Sequence, residues 1–170
     1  MEVKFARNES VATTIVHYLG AAVASIDAAL YRLNHAGLAQ ALQGAAKRGV
    51  RVRLLVDGNK YQESRITQEL LEEAGIPFRL SFGRRGQGSK MHHKFVILDQ
   101  QTILTGSYNW TVESEDENYE NLILAGEKSL AEAYQGEFEA LWMRAVSPDQ
   151  VQDSDYDQQR TQRRQDAHSR

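Results

Sequence analysis

The residues of this sequence best suited to chemistry are His92 and Lys94, two positions apart in the stretch MHHKFVILD. On an extended strand, side chains two positions apart face the same side, so His92 and Lys94 would project together and His93 away from them. A neutral imidazole is a competent nucleophile toward phosphorus, and a lysine ammonium offers three donors to phosphate oxygens. Ser107 and Asn109 would add neutral donors from the next strand end. This set suits a phosphoryl transition state, whose equatorial oxygens gather negative charge.

These residues belong to a longer pattern of fixed spacing, H-x-K-x4-D-x6-G-S-x-N. Its six fixed residue types would coincide by chance at on the order of 10⁻⁸ per starting position, since each makes up only a few per cent of ordinary usage. The pattern resembles the signature of the phospholipase D superfamily, in particular its single-motif group of bacterial endonucleases and mitochondrial cardiolipin hydrolase-like proteins. It is formed here by His92, Lys94, Asp99, Gly106, Ser107 and Asn109.

The resemblance extends beyond the motif itself. Residues 46–52, AKRGVRV, look like the helix-to-strand entry of these enzymes, and Glu120 with Asn121 matches the Glu-Asn pair that follows the motif in the single-motif group. The similarity covers about residues 1–146, which we predict to be one phosphodiesterase domain. The polar residues 147–170 fall outside it and predict a tail that is disordered or becomes ordered only through a partner, because they bury too little apolar surface to offset chain entropy.

The resemblance implies a metal-independent phosphodiesterase that needs no cofactor. His92 would attack phosphorus to form a phosphohistidine, and a carboxylate on its other nitrogen, for which Glu120 is the candidate, would fix the tautomer. Asp99 has the opposite strand parity to His92, so we expect it, with Gly106, to act structurally at the strand ends. Three residues would bind the substrate phosphate: Lys94, Ser107 and Asn109.

Hydrolysis by this route needs a second group to protonate the leaving oxygen and later to activate water. The sequence contains only one H-x-K pattern. Two-motif members of the superfamily supply the second histidine from the same chain, whereas short single-motif members take it from a subunit related by two-fold symmetry. We therefore predict a homodimer in which the two copies of His92 share one active site.

A run of basic residues without an intervening acid precedes and enters the catalytic stretch: Arg79, Arg84, Arg85, Lys90 and Lys94. Together with glycines at positions 83, 86 and 88, it predicts a flexible basic rim that could follow a nucleic-acid backbone or meet an anionic phospholipid headgroup. A solvated charged loop without function is the alternative. Because no amphipathic membrane helix stands out, we rank a nuclease acting on DNA or RNA first and a phospholipase D second.

Other interpretations of this stretch have less support from the sequence. Tyr108 and Trp110 could stack on bases, although Trp110 fits the protein core equally well. A serine nucleophile at Ser107 is disfavoured, because no G-x-S-x-G elbow surrounds it. A dimeric nucleic-acid-binding module without turnover stays open as a rival, but binding alone would not require both His92 and Glu120.

Composition sets outer limits on function. The 170 residues contain no cysteine, which removes disulfides, thiolate metal ligands and a cysteine nucleophile. No H-E-x-x-H pattern or compact ligand cluster indicates a metal site. The net charge of −3 provides no global attraction to nucleic acid, so any basic surface must be local. We expect no membrane span, because the longest uncharged stretch is too short, and a cytoplasmic location, because no secretory signal is visible.

The elements that must position these residues follow from hydrophobic periodicity. Helical spacing predicts helices that begin after Asn8, run through Leu38 to Arg48 and through Ile66 to Ala74, and end with Glu127 to Arg144. Short apolar runs between them predict strands. The alternation indicates an α/β layered sandwich with a central mixed β-sheet flanked by helices. The predicted strands cover residues 3–6, 23–33, 50–56, 76–80, 95–98, 102–105 and 122–125.

Overall fold

Seven strands and six α-helices form the part of the chain that the computed structural model describes, residues 1–151. The strands are β1 Glu2–Phe5, β2 Ser25–Leu30, β3 Arg51–Asp57, β4 Phe78–Ser81, β5 Lys94–Leu98, β6 Thr102–Gly106 and β7 Asn121–Ala125. The helices are α1 Val11–Ala21, α2 Ala36–Lys47, α3 Gly58–Glu63, α4 Arg65–Ala74, α5 Val112–Asp116 and α6 Lys128–Arg144. The predicted α/β architecture, a mixed sheet between helices, is confirmed.

The sheet places β5 at its centre, in the strand order β1-β7-β6-β5-β2-β3-β4. Strands β2, β3 and β4 are parallel, and β5 runs antiparallel to β2 and to β6. The first residue of β5, Lys94, therefore lies opposite Leu30, the last residue of β2. One edge of the sheet consequently collects the C-terminal ends of β2, β3, β4 and β6 and the N-terminal ends of β5 and β7.

Helices cover both faces of the sheet, which buries the central strand on each side. On β5, Val96 and Leu98 face the core built with α1, α2 and α4, whereas Phe95 and Ile97 face the core built with α6. This two-sided burial explains the continuous apolar run of the strand. Met91 packs into the α6-side core and so anchors the segment that leads into the strand.

The ends of the helices follow local signals, with one difference from prediction. Helix α1 is capped by Ser10 and not by Asn8, because the Ser10 hydroxyl accepts a hydrogen bond from the Thr13 amide at 3.1 Å. Gly49 and Gly75 follow α2 and α4 as predicted, with left-handed φ values of 93° and 62°.

Other differences concern short elements and strand ends. Helices α3 and α5 have only six and five residues, too few to show a hydrophobic period, and the prediction missed both. The strand predicted over 23–33 extends only over Ser25–Leu30. The first part of the predicted tail forms a 3₁₀ helix, Pro148–Gln150, whereas the expectation of disorder for residues 152–170 lies outside the described residues.

Candidate active site

His92 and Lys94 lie side by side at the centre of the sheet edge described above. The Lys94 ammonium is 3.1 Å from His92 Nδ1 and 3.4 Å from Nε2, and it donates to the His92 carbonyl at 2.8 Å. His92 immediately precedes the strand and does not belong to it, since β5 begins at Lys94. His93 turns the other way, toward Glu137 on α6, at 3.0 Å. The side-by-side arrangement predicted from the spacing is thus present.

The surroundings of His92 favour its neutral form. Partial desolvation of the ring lowers its pKa, and the positive charges of Lys94 and Lys90 lower it further, against a smaller opposing effect of Asp57. Burial also lowers the pKa of Lys94, while the negative charge of Glu120 opposes that shift. A neutral histidine can attack an electrophile, and the neighbouring ammonium can stabilise the negative charge that develops on that electrophile.

Tyr31, the residue after β2, packs against His92, and the sequence analysis missed it. Its ring centroid lies 4.4 Å from that of His92, in a tilted contact. Three ammonium groups approach the same ring: those of Lys94 at 5.3 Å, Lys60 at 5.7 Å and Lys90 at 5.9 Å from the centroid. An aromatic face attracts cations at such distances, so Tyr31 gathers positive charge around His92.

Asp57, the last residue of β3, is a second residue that the sequence analysis missed. It is 0% exposed and accepts hydrogen bonds from two backbone amides, that of Met91 at 2.9 Å and that of Lys60 at 3.0 Å. Burial raises the pKa of this carboxyl, although the two amides oppose the shift. Asp57 thereby connects the end of one strand to the residue immediately before His92.

Ser107, Glu120 and Asn121 form a hydrogen-bonded group where β6 ends and β7 begins. The Ser107 hydroxyl donates to Glu120 at 2.5 Å and accepts from the Asn121 amide at 3.0 Å. A hydroxyl has one proton, so donation from Ser107 to a phosphate, as predicted, requires the bond to Glu120 to open. Glu120 also accepts from Ser114 and Asn118, at 3.1 and 3.2 Å.

The predicted contact between Glu120 and the second nitrogen of His92 is not made among the described residues of one chain. Within the described residues, the Glu120 carboxylate accepts hydrogen bonds only from side chains of its own neighbourhood, and it acts on His92 and Lys94 through the charge of Lys94. The reason is position. Glu120 lies just before β7, two strands away from β5 in the sheet, where the Ser107 hydroxyl is nearer.

The aromatic residues of the GSYNW stretch belong to the core and do not offer a surface for base stacking. Tyr108 and Trp110 are 1% and 2% exposed, and the Tyr108 hydroxyl donates to Glu115 at 2.7 Å. Between them, the backbone amide of Asn109 donates a hydrogen bond to the Ser114 hydroxyl at 3.2 Å. The side-chain oxygen of Asn109 is buried and accepts no hydrogen bond from the described residues.

Asp99 and Gly106 hold the ends of β5 and β6 in place. The Asp99 carboxylate accepts from the amides of Val23, Ala24 and Ser25, at 2.7 to 3.1 Å, which joins the far end of β5 to the start of β2. Burial disfavours its charge, but these three amides outweigh that effect and lower its pKa. At Gly106, a Cβ atom would lie 2.2 Å from the backbone oxygen of Asn121, so only glycine fits.

The basic rim differs in part from prediction. Arg84 and Arg85 are exposed on the loop after β4, as expected for a rim. Arg79, however, lies under the sheet, where its guanidinium stacks 4.2 Å from the Trp142 ring and donates to the Trp142 carbonyl. The glycine-containing loop is also closed by its own hydrogen bonds and by Asn59, which donates to the Gln87 carbonyl at 2.8 Å.

Residues 1–151 also bear on two other kinds of site, metal centres and membrane spans. No cluster of three or more histidine, aspartate or glutamate side chains in this part of the chain is placed to hold a metal ion. None of its helices has the length and apolar character that crossing a bilayer requires.

Comparison with protein families and curated proteins matches most of the chain. Residues 15–142 fit the family described as "Cardiolipin synthase, PLD-like domain". The sequence is 34% identical over 134 residues to the mitochondrial cardiolipin hydrolase of Homo sapiens, and 35% identical over 118 residues to that of Xenopus tropicalis. These matches cover 79% and 69% of this chain but 52% and 54% of the relatives. The chain thus spans about half the length of the curated relatives it matches.

Two solved structures share the fold. A phospholipase D family member, Nuc from Salmonella typhimurium, superimposes with a TM-score of 0.77 at 26% identity, over 85% of this chain and 94% of that one. NucT from Helicobacter pylori reaches a TM-score of 0.75 at 20% identity, over 86% and 99% of the two chains. In both cases nearly the whole solved chain corresponds to the domain described here.

Proposed function

This chain belongs to the PLD-like domain family, and on that premise we propose that it is a metal-independent phosphodiesterase whose preferred substrate is nucleic acid, DNA or RNA. The observation that carries the proposal is the contact between the Lys94 ammonium and both ring nitrogens of His92, at 3.1 and 3.4 Å. A nucleophile and a phosphate-binding cation held this close can act on the same phosphorus.

The proposed reaction has two steps. A ring nitrogen of neutral His92 attacks phosphorus, the phosphorus–oxygen bond to the leaving group breaks, and that oxygen takes a proton from a general acid. Water then attacks the phosphohistidine, gives its proton to the same group acting as base, and releases His92 with the phosphate product. Lys94 binds the phosphate oxygens throughout, and Asn109 and an opened Ser107 add neutral donors.

The general acid is proposed to be His92 of a second copy of the chain. Within residues 1–151, Asp57 is the carboxylate whose charge acts on the pKa of His92, but it is buried and already accepts hydrogen bonds from two backbone amides. Glu120 is engaged with Ser107, where it supports the charge of Lys94. A homodimer with a shared site follows, and sedimentation analysis that finds a fully active monomer would exclude it.

Nucleic acid is favoured as substrate by the concentration of positive charge around His92. Lys60, Lys90 and Lys94 lie around one aromatic ring, and Arg84 and Arg85 are exposed on the neighbouring loop. A polyanion gains from each of these cations, whereas a single zwitterionic headgroup does not.

Cardiolipin is the second candidate substrate, and the observation behind it is the name of the curated relatives, mitochondrial cardiolipin hydrolase. Cardiolipin carries two phosphates and would also benefit from a local excess of cations. That name favours mitochondria for the relatives, so a cytoplasmic location for this chain stays a prediction. A nucleic-acid-binding module without turnover is the remaining alternative, and only an activity assay distinguishes it.

The test begins with a chromogenic phosphodiester, bis(p-nitrophenyl) phosphate, in the presence of EDTA. We expect turnover by the unaltered protein and a loss of at least about 1,000-fold in His92→Ala, as for removal of other nucleophiles. His93→Ala is the matched control, because His93 faces Glu137 on the opposite side and should retain activity. Full activity of His92→Ala, or loss of activity with chelator, would contradict the proposal.

Substrate choice is tested by parallel incubation of the protein with single-stranded DNA, duplex DNA, RNA, phosphatidylcholine and cardiolipin. Cleavage of nucleic acid at a higher kcat/KM than cardiolipin supports the first candidate. The reverse order supports the second, and binding of nucleic acid without any hydrolysis supports the module.

A further inference from the structure

The ammonium groups around Tyr31 are more numerous than one phosphodiester requires. Lys60, Lys90 and Lys94 place their nitrogens 5.7, 5.9 and 5.3 Å from the ring centroid of Tyr31, whose side chain is only 7% exposed. Because all three lie around one ring, no two of them are more than about 12 Å apart, a separation at which like charges still interact at low salt. We refer to these three lysines and Tyr31 as the lysine cluster.

The negative charges near the lysine cluster do not balance it. Lys60 has an ion pair with Glu63 at 3.3 Å. Within residues 1–151, no carboxylate lies within ion-pair distance of Lys90 or Lys94, and the buried Asp57 uses its oxygens for backbone amides. Lys90 and Lys94 therefore stand beside His92 without an ion pair of their own, and both lower the pKa of His92. The charge of Glu120 acts on Lys94 from beyond ion-pair distance. A single phosphodiester carries one negative charge, which leaves one ammonium unmatched.

We propose that Lys60 and Lys90, held against the Tyr31 ring, form a second phosphate subsite beside the catalytic one. This inference rests on the proposed function, in which Lys94 and His92 bind the phosphate that is cleaved. The subsite takes a phosphate that is joined to the cleaved one by a short linker, the length of one sugar or one glycerol unit. It makes the enzyme selective for substrates with two neighbouring phosphates over substrates with one.

The positions of the two lysines fit this role. Lys60 is on α3, and its backbone amide fixes the first turn of that helix by donating a hydrogen bond to Asp57. Lys90 precedes Met91, whose amide is bonded to the other oxygen of the same carboxylate. One buried residue thus sets the backbone of both lysines relative to His92. Among the described residues the ammonium of Lys90 has no ion pair, and that of Lys60 has only the partly exposed one with Glu63, which a phosphate would replace. The Tyr31 ring gathers the ammonium groups without neutralising them, because the attraction of a ring for a cation leaves the charge available.

Two kinds of molecule present the required chemistry, a nucleic-acid strand and a lipid with two phosphates, and small ligands separate them. Thymidine 3′,5′-bisphosphate and thymidine 5′-monophosphate represent the first kind with two phosphates and with one. Glycerol 1,3-bisphosphate and glycerol 3-phosphate represent the second kind in the same way. The pair with the larger gain from its second phosphate identifies the linker that the subsite accepts.

The experiment is calorimetric titration of the full chain with these four ligands at low ionic strength. We expect each matching bisphosphate to bind about tenfold or more tightly than its monophosphate, which is the effect of about 1.4 kcal/mol from added charge pairs. In Lys60→Ala/Lys90→Ala, that preference should fall to less than about twofold while monophosphate affinity changes little. The charge-matched control is Arg65→Ala/Lys128→Ala, which removes two exposed cations on α4 and α6 and should keep the preference.

A second pair of variants tests the ring. Tyr31→Phe keeps the aromatic face and should keep the preference, whereas Tyr31→Leu removes it and should reduce the preference. Thermal unfolding of every variant shows whether it is folded before it is titrated. Equal affinity of the unaltered protein for both ligands of each pair would overturn the subsite, as would an unchanged preference in Lys60→Ala/Lys90→Ala. Because binding is measured without turnover, an absence of hydrolysis would instead count against the proposed function alone.

Discussion

Replacing Asp57 with asparagine should weaken both the fold and the reaction. One carboxylate oxygen accepts from the Met91 amide at 2.9 Å, and the other accepts from the Lys60 amide at 3.0 Å. Asparagine has the same shape but only one acceptor oxygen, and its NH₂ group would face one of these N–H donors. Because the site is fully buried, water cannot replace the lost acceptor.

The expected loss of stability follows from two opposing effects. A buried backbone donor left without a partner costs about 1–3 kcal/mol. Burial raises the pKa of Asp57, so at any pH above the ordinary pKa of aspartate the charged side chain destabilises the folded state. The neutral amide of asparagine removes this destabilisation. We therefore expect the free energy of unfolding at neutral pH to fall by about 1 kcal/mol, the lower end of this range.

The effect on the reaction should be larger than the effect on stability. If the amide of Met91 loses its acceptor, His92 is no longer fixed relative to the end of β3, and a displacement near 1 Å can cost about 100-fold in rate. The loss should fall on kcat more than on KM, because Lys94 is held by β5 and still binds phosphate. The negative charge of Asp57 also raises the pKa of His92, so the acidic limb of the rate profile should move to lower pH in the variant.

Urea unfolding and a pH series with bis(p-nitrophenyl) phosphate measure these effects. Ser64→Ala is the matched control, since it removes another helix N-cap bond, to the Thr67 amide at 3.2 Å, at a cost of about 1 kcal/mol. That variant should lose stability without a change in kcat or in the position of the acidic limb. If Asp57→Asn behaves in the same way, the carboxylate has no positioning role.

Two other predictions concern residues of the motif and its surroundings. The acidic limb of kcat/KM should lie below pH 6.5, because the nucleophile must be neutral and the pKa of His92 is lowered; Lys90→Ala should shift that limb upward. A limb that does not move in a pH series would contradict this origin. Gly106→Ala should reduce the free energy of unfolding by about 1–3 kcal/mol, because its Cβ would lie 2.2 Å from the Asn121 oxygen. The same change at Gly136, in open space on α6, should raise it by about 0.5–1 kcal/mol in urea unfolding.

Most of the fold could be predicted because its elements leave local patterns in the sequence. The long helices repeat apolar residues at helical spacing, α2 and α4 are followed by Gly49 and Gly75, and the buried strands are continuous apolar runs. Helices α3 and α5 could not be found in this way. Each begins at a capping contact, in which the Lys60 amide donates to Asp57 and the Ser114 amide donates to Thr111, and such a contact has no periodic signal.

Some residues of the candidate site could be predicted from the sequence, and others could not. The contact between His92 and Lys94 follows from their spacing, and both residues could be identified from the motif alone. Tyr31, Asp57 and Lys60 come from other elements and carry no motif, so no sequence pattern marks them. Arg79 shows the opposite error. It continues a basic run in the sequence, but its place on β4 turns it toward Trp142 and away from the loop that carries Arg84 and Arg85.

By itself, the sequence determined that His92 and Lys94 lie together, because side chains two residues apart stay on one side of any extended backbone. Tertiary structure alone decided what surrounds that pair. The antiparallel placement of β5 beside β2 brings Lys94 opposite Leu30, and the following residue, Tyr31, then meets His92 across more than sixty residues of chain. Such a contact depends on strand order and register, which are set by burial over the whole sheet and not by neighbours in sequence.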